Sequence, residues 1–244
     1  MPEPTIRQAV ILAAGRGTRM RELTEDLPKP MIEVRGKPIL EHIISGLARH
    51  GIERVLVVVG YRKDVVMEHF GDGSAFGVAV DYVTQEVQDG TGRVVDLGRD
   101  FTGDEGFVLS YGDILVPPES YAPMVRPGDA AALLTVKFSG DVAKGGAVFV
   151  EGDRVTGLIE KPGPGEPTSP WYNAGIYTFA PVIYDYTARL ELSPRGEYEL
   201  TDAIKAMIAD GLDLRAVELT GDWADVRDPE VLEALNRTPP HGVA

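Results

Sequence analysis

Apolar residues along this chain come in short runs that alternate with stretches of helical spacing. Residues 9–15, AVILAAG, are an apolar run closed by glycine, the pattern of a buried parallel strand entering a loop at its carboxyl end. Ile39, Leu40, Ile43, Ile44 and Leu47 then recur at helical spacing, with Pro38 suited to a first turn and Gly51 to a C-cap. RVLVVVG at 54–60 repeats the strand pattern, and KDVVMEHFGDG predicts a second helix. The alternation continues with a strand at 78–85, a glycine-rich turn from Asp89 to Gly92, a helical stretch to Asp100 and a buried strand, GFVLSYGD, at 106–113. Such β-α alternation predicts a layered sheet whose ligands gather at the carboxyl ends of the strands. Gly15, Gly60, Gln85 and Asp113 would then share one rim.

The texture changes after about residue 130. AALLTVKF, GGAVFVE and DRVTGLIEK alternate like antiparallel strands, with EGDR at 151–154 as a hairpin turn. PGPGEPTSP at 162–170 is too rich in proline and glycine for regular structure and reads as a surface loop. Helices are expected at 181–190 and 198–210, then the strand DLRAVEL, a last helix, PEVLEALN, and a frayed tail, TPPHGVA. No repeat, linker or charge run divides the chain. Residues 1–244 are therefore expected to form one α/β domain, a Rossmann-like, mostly parallel sheet flanked by helices, with a smaller antiparallel sub-region.

Composition narrows the function. With 244 residues, 43% of them hydrophobic, the chain can bury one substantial core. No signal pattern opens the chain, and no window nears the roughly 18 apolar residues of a membrane span, so a soluble, cytoplasmic protein without a membrane partner is expected. The absence of cysteine excludes disulfides, thiolate metal sites and cysteine nucleophiles. A formal net charge of −14 argues against a nucleic-acid partner. The first 37 residues run the other way, because Arg7, Arg16, Arg19, Arg21, Lys29, Arg35 and Lys37 outnumber Glu3, Glu22, Glu25, Asp26 and Glu33. A local positive site in an acidic chain predicts a small anionic ligand.

That site centres on ILAAGRGTRMRELTEDLPKP at 11–30. A glycine-rich turn after a first strand brings backbone N–H groups close to phosphates. A Walker A loop would need a Gly-Lys-Ser/Thr ending, which is absent, and the dinucleotide fingerprint would need a glycine where Met20 stands. LAAGRGTRMRELTEDLPKPMIEVRGKPIL instead resembles the N-terminal signature of the sugar-phosphate nucleotidylyltransferases, or nucleoside-diphosphate-sugar pyrophosphorylases: L-x-x-G-x-G-T-R, a spacer, then P-K-P. The resemblance implies a GT-A-like nucleotidyltransferase fold. It also implies a reaction in which a sugar 1-phosphate attacks the α-phosphorus of a nucleoside triphosphate and pyrophosphate leaves in line, assisted by Mg²⁺. Such a nucleophile is already ionised, so no general base is required.

Carried onto these residues, the resemblance gives nucleotide contacts to Leu12, Ala13, Ala14, Gly15, Gly17 and Thr18. Arg19 would offer a planar fork to the leaving phosphates, and Lys29, framed by Pro28 and Pro30, a point charge to the α-phosphate. Tyr111-Gly112-Asp113 and Gly221-Asp222-Trp223-Ala224-Asp225-Val226 resemble the family's metal segments, which map to Asp113 and Asp225, although Asp222 competes. Gln85, Gly90 and Thr91 would meet the base, with Gln88 a competing amide, and Asp113 would also face the nucleotide. The Gly-Thr-Gly turn is similar to the uridylyltransferase branch, which favours UTP or dTTP. For the sugar phosphate, Glu160-Lys161-Pro162, Asn173-Ala174-Gly175-Ile176-Tyr177 and Lys144-Gly145-Gly146 resemble family segments, implying Gly146, Glu160, Lys161 and Asn173.

The resemblance spans roughly residues 8–230 and includes no left-handed β-helix, so a free-standing catalytic domain is expected. About 1–125 would be its nucleotide-binding half, 126–235 its sugar-phosphate half and 236–244 its tail, with homo-oligomerisation left open. Four rivals stand beside this reading, among them a nicotinamide dehydrogenase, weakened by Met20 and by the lack of a clear acid where Gly60 and Tyr61 end the second strand. A catalytically silent nucleotide-sugar regulator need not keep Arg19, Lys29, Asp113 and Asp225 together. A metal-dependent glycosyltransferase would use an Asp-x-Asp motif, absent from the chain, and a CTP- or GTP-using relative would act on phosphocholine, mannose or heptose phosphate.

Overall fold

The computed structural model describes residues 5–25, 27–139, 141–143 and 145–237. Strand β1 (Gln8–Leu12) leads through 3-10 turns at Thr18–Thr24 and Lys29–Met31 into a hairpin of β2 (Glu33–Val34) and β3 (Lys37–Pro38). Then follow α1 (Ile39–Arg49), β4 (Arg54–Val59), α2 (Lys63–Phe70), β5 (Ala79–Thr84), α3 (Thr91–Asp96), α4 (Arg99–Thr102) and β6 (Phe107–Tyr111). β1 pairs in parallel with β4 and β6, and β4 with β5. Successive residues of these strands enter opposite cores, as a pleated strand buried on both faces requires. Ala9, Ile11, Val55 and Val57 join Leu40, Ile43, Ile44 and Leu47 of α1 on one side. Val10, Leu56, Val58 and Leu109 join Val94 and Val95 of α3 on the other. The helix expected to run to Asp100 is broken at Gly98, where a Cβ would lie 3.1 Å from Val10 Cγ2 on β1.

Beyond β6 come β7 (Ile114–Leu115), β8 (Ala132–Phe138), β9 (Gly146–Glu151), β10 (Arg154–Glu160), β11 (Trp171–Phe179), α5 (Ile183–Thr187), α6 (Leu200–Ala209), β12 (Leu214–Glu218), β13 (Ala224–Asp225) and α7 (Pro229–Arg237). The sheet has nine strands in the order β5-β4-β1-β6-β11-β8-β12-β10-β9, with β11 also pairing β9. It is parallel up to β6 and mixed beyond, because β11 runs antiparallel to both β6 and β8 while β8 and β12 are parallel. The expected antiparallel sub-region is thus a continuation of the same sheet. Asn236 and Arg237, expected in the tail, close α7, and residues 238–244 lie outside the described residues. No helix among the described residues is long and apolar enough to cross a membrane.

One irregularity in β11 positions the site. Its register with β8 shifts between Asn173 and Tyr177, and Gly175 takes φ 82° there, packed so that a Cβ would be 3.0 Å from Tyr111 Cδ2. The polar groups freed by the bulge find new partners. Thr135 Oγ1 donates to Ile176 O at 2.8 Å, and Trp223 Nε1 donates to Ala174 O at 2.9 Å. Trp223→Phe should therefore cost about 1–3 kcal/mol in urea unfolding, the value of an orphaned carbonyl plus lost packing, whereas a cost near zero would show that the bulge holds itself.

Candidate active site

A cleft of about 370 Å³ opens at the carboxyl ends of the parallel strands. Leu12, Ala13, Ala14 and Gly15 line it after β1, Gln85 and Gln88 after β5, Gly90 and Thr91 at the head of α3, and Tyr111, Gly112 and Asp113 around the end of β6. Glycines let these segments meet. A Cβ on Gly60 would lie 2.7 Å from Ala14 O, and one on Gly112 would lie 2.8 Å from Leu12 O. A Cβ on Gly15, by contrast, would meet nothing within 4 Å, so no protein atom demands glycine at this cleft wall.

Lys29 reaches the same cleft from the loop. Pro28 is extended (φ −68°, ψ 146°) and starts the 3-10 turn Lys29–Met31, whose Pro30 and Met31 are buried. Gly17 sits at φ 69° against the stem of Lys29, where a Cβ would be 2.8 Å from Lys29 Cβ. The Lys29 ammonium thereby donates to Asp113 Oδ2, a contact between residues 84 apart in sequence, with the lysine side chain only 13% exposed.

Asp225 adjoins this pair. β13 pairs with β7 in the register Asp225–Ile114, and Val226 N donates to Asp113 O at 2.9 Å. Burial first, and then the Asp113 charge, raise the Asp225 carboxyl above the usual aspartate range, while Lys29, Arg227 and Arg19 oppose the shift. Arg19 itself is exposed and outside the cleft lining, yet near enough to act on Asp225. Asp222, the competing residue, lines a different cleft, of about 760 Å³. No group of three or more His, Cys, Asp or Glu that could hold a metal occurs among the described residues. Two crowded carboxylates beside a phosphate-sized opening nevertheless fit a hard divalent ion that takes its other ligands from phosphate and water.

The amides of both glutamines are in place. Gln85 Nε2 donates to Val87 O at 2.9 Å and Gln88 Nε2 to Ala14 O at 3.3 Å, so Gln88 is as much part of the wall as Gln85. The glycines of the Asp89–Gly92 turn have a second reason beyond access for a base. A Cβ on Gly90, at φ 115°, would be 2.4 Å from Tyr198 O, and Gly92 N donates to that same oxygen at 2.7 Å.

Gly146, Glu160, Lys161 and Asn173 form a separate group that does not line this cleft. Gly146 and Glu160 are register partners in the β9–β10 hairpin, and a Cβ on Gly146 would be 3.1 Å from Asn173 Cβ and 3.5 Å from Glu160 Oε2. Asn173 Oδ1 is buried without a hydrogen-bond partner, and Lys161 holds φ 46°, a strained value for a side-chain-bearing residue. Lys144 and the side chain of Thr18 lie outside the described residues.

Sequence reasoning missed Arg195 and Glu197. Arg195 lies 3.2 Å from carboxylate oxygens of both Glu197 and Glu199 and 3.7 Å from Glu160, while Glu197 lines the cleft, so this arginine bridges the two groups. An arginine among carboxylates in SPRGEYEL was the available signal. Tyr111 was also passed over: it lines the cleft, and burial pushes its phenol up to about 12.

Parallel strands that run on into antiparallel ones in one helix-flanked sheet form the α/β nucleotidyltransferase fold. A solved UDP-glucose pyrophosphorylase complexed with UDP-glucose has the same fold, with a TM-score of 0.85 at 20% identity over 95% of this chain and 97% of that one. The chain belongs to the nucleotidyl transferase family, whose model matches residues 8–238. It is 40% identical over 231 residues to the bifunctional protein GlmU of Methanococcus maripaludis strain C7, covering 94% of this chain and 54% of that protein. The chain thus spans about half the length of this relative. It is 39% identical over 228 residues to the UTP–glucose-1-phosphate uridylyltransferase AglF of Haloferax volcanii, covering 91% and 92% of the two chains.

Two predictions follow from the packing and charge. Gly90→Ala should lose about 1–3 kcal/mol of stability through backbone strain, whereas Gly15→Ala should stay within about 0.5 kcal/mol and act only on ligand affinity; paired urea melts check this. Glu160 carries a carboxyl raised above the usual range, chiefly by burial and then by Glu199, with Lys161 and Arg195 opposing. A carboxyl with a raised folded pKa binds its proton more tightly when folded, so its ionisation costs stability as pH rises from the unfolded to the folded value. Glu160→Gln should raise the unfolding temperature near neutral pH, and the gain should vanish as the pH falls below the ordinary carboxylate range; calorimetry across pH reads both.

Proposed function

We propose that the chain catalyses transfer of a nucleotidyl group from a nucleoside triphosphate, UTP or dTTP, to a sugar 1-phosphate, releasing pyrophosphate. The observation that carries this is the contact of Lys29 with Asp113 in the cleft, from segments 84 residues apart, with Asp225 brought beside Asp113 by the β13–β7 pairing. In this reading residues 1–125 supply the nucleotide half and 126–235 the sugar-phosphate half, and the reaction runs in the cytoplasm, to which a cysteine-free chain is suited. The uridylyltransferase name of the Haloferax relative favours UTP.

The base would lie against Gln85, Gln88, Gly90 and Thr91, with the triphosphate along Ala13–Gly15 and Gly17. Thr18 would belong to the same loop. Arg19 would neutralise the departing phosphates, and Lys29 would exchange the Asp113 carboxylate for an α-phosphate oxygen. Glu160 and Asn173 would hold sugar hydroxyls, with Gly146 leaving room for the ring and Lys161 facing the phosphate. Asp113 and Asp225 would hold Mg²⁺, which when bound supplies charge neutralisation to the phosphates. The sugar-phosphate oxygen then forms its bond to the α-phosphorus as the bond to the β-phosphate oxygen breaks. Positioning and charge supply the catalysis.

Purified protein with Mg²⁺, UTP or dTTP and a hexose 1-phosphate should release pyrophosphate. Lys29→Ala should lower turnover by about 10²–10³, the usual effect of removing one electrostatic group, without a matching loss of fold. If no triphosphate and sugar-phosphate pair gives pyrophosphate while the protein binds nucleotide sugars, a regulatory role replaces this reading.

A further inference from the structure

Arg227 stands two residues past Asp225, at the end of β13. Its backbone N–H donates to the Asp225 carbonyl at 2.8 Å, a tight turn that folds the side chain back toward the Asp225 carboxylate. Nη1 stops 3.8 Å from Asp225 Oδ2, beyond ordinary hydrogen-bonding range, and this is the guanidinium's only ion pair among the described residues. A planar fork with five donors is thus held, only 25% exposed, without a close carboxylate.

Its other neighbour is the Tyr172 phenol, which also feels the charges of Asp225 and Glu160. Tyr172 occupies the space behind the glycine loop, since a Cβ on Gly145 would be 2.2 Å from Tyr172 Oη. Gly145 O accepts from Lys161 N at 2.5 Å, and Gly146 is the register partner of Glu160. Arg227 therefore lies where the Asp113–Asp225 carboxylates meet the sugar-side group. On the nucleotide side Lys29 is engaged with Asp113, and Arg19 is exposed in the turn Thr18–Thr24.

We propose that Arg227 binds the phosphate of the sugar 1-phosphate and sets its direction of attack, a role that rests on the nucleotidyl transfer proposed above. A sugar whose hydroxyls meet Glu160 and Asn173 must bring its phosphate toward Asp225 for an oxygen to face the α-phosphorus. Arg227 takes two of the phosphate oxygens in a bidentate pair, Lys161 meets one of the same two, and the third is left to attack. It exchanges no proton. The new bond is from phosphate oxygen to α-phosphorus, and the electron pair of the broken bond leaves on pyrophosphate.

The test varies each substrate separately, with glucose 1-phosphate as the first probe and other hexose 1-phosphates after it. Arg227→Ala should raise the KM for the sugar 1-phosphate about tenfold to a hundredfold, the cost of one lost charged hydrogen-bonding pair, and leave the KM for the triphosphate within about twofold. Arg227→Lys should recover part of that loss, since the charge returns without the fork. Arg227→Gln gives the same reading should the alanine variant fold poorly. An unchanged sugar-phosphate KM, with only kcat or the metal requirement altered, overturns the proposal and leaves Arg227 as a partner of Asp225. A wild-type protein that releases no pyrophosphate with any pair overturns nucleotidyl transfer itself, and this role with it.

Discussion

The active centre depends on how closely three backbones approach at the top of the parallel sheet. The end of β1 must pass between β4 and β6 and still turn away into its loop, which leaves no space for side chains at the neighbouring strand ends. Gly60 and Gly112 provide that space, facing the carbonyls of Ala14, just past β1, and of Leu12, at its end, at distances no Cβ could share. Ala13 N donates to Val58 O and Gly112 N to Leu12 O, both at 2.9 Å, so the crossing is hydrogen-bonded as well as close. Once β1 is fixed this way, the direction of its loop is fixed, and with it the path that returns Lys29 to Asp113.

That ion pair has an electrostatic logic of its own. A lysine and an aspartate taken largely out of water lose hydration that their attraction restores only in part, so such a pair is weak evidence for stability. Asp113 also has Asp225 as a neighbour, and the buried like charges repel. The ammonium of Lys29 relieves part of this crowding. A triphosphate with its divalent ion would satisfy all three groups at once, the ion going to the carboxylates and the lysine to a phosphate oxygen. The lysine stem that presents this ammonium is held by Gly17 packed against it, next to the buried Pro30.

How much of this could be read in the sequence depends on what each residue answers to. The parallel half was legible because strands buried on both faces are near-continuous apolar runs, and AVILAAG and RVLVVVG can be little else. β11 was not read as a strand, since Asn173 and Gly175 interrupt its pattern; the bulge that accommodates them is supported by Thr135 and Trp223, residues far away in sequence. Of the proposed nucleotide contacts, Leu12, Ala13, Ala14, Gly15, Gln85, Gly90, Thr91 and Asp113 converge on the cleft with Lys29. Glu197 and Arg195 stayed invisible because their role is set by what folds against them. The glycines of the Asp89–Gly92 turn show the same limit from the other side: they suggested ligand access, while the structure also shows Tyr198 pressed against them.

β11 is the strand that joins the Asp113 rim to the group around Gly146. It is hydrogen-bonded to β6, which carries Asp113 just past its end, and to β9, which begins at Gly146. Its bulge turns the strand at the one point where both neighbours end in site residues, and the peptide it frees is tied to Trp223, two residues before Asp225. Any shift of β11 would move the sugar-side amide of Asn173 and the backbone beside the metal-type carboxylates together. Asn173 Oδ1, buried with no partner, is the cost of that arrangement: an acceptor kept unsatisfied at about 1–3 kcal/mol is tolerated where a ligand hydroxyl can complete it. In the proposed reaction the bulge would couple recognition of the sugar to the placement of the reacting phosphates through a single strand.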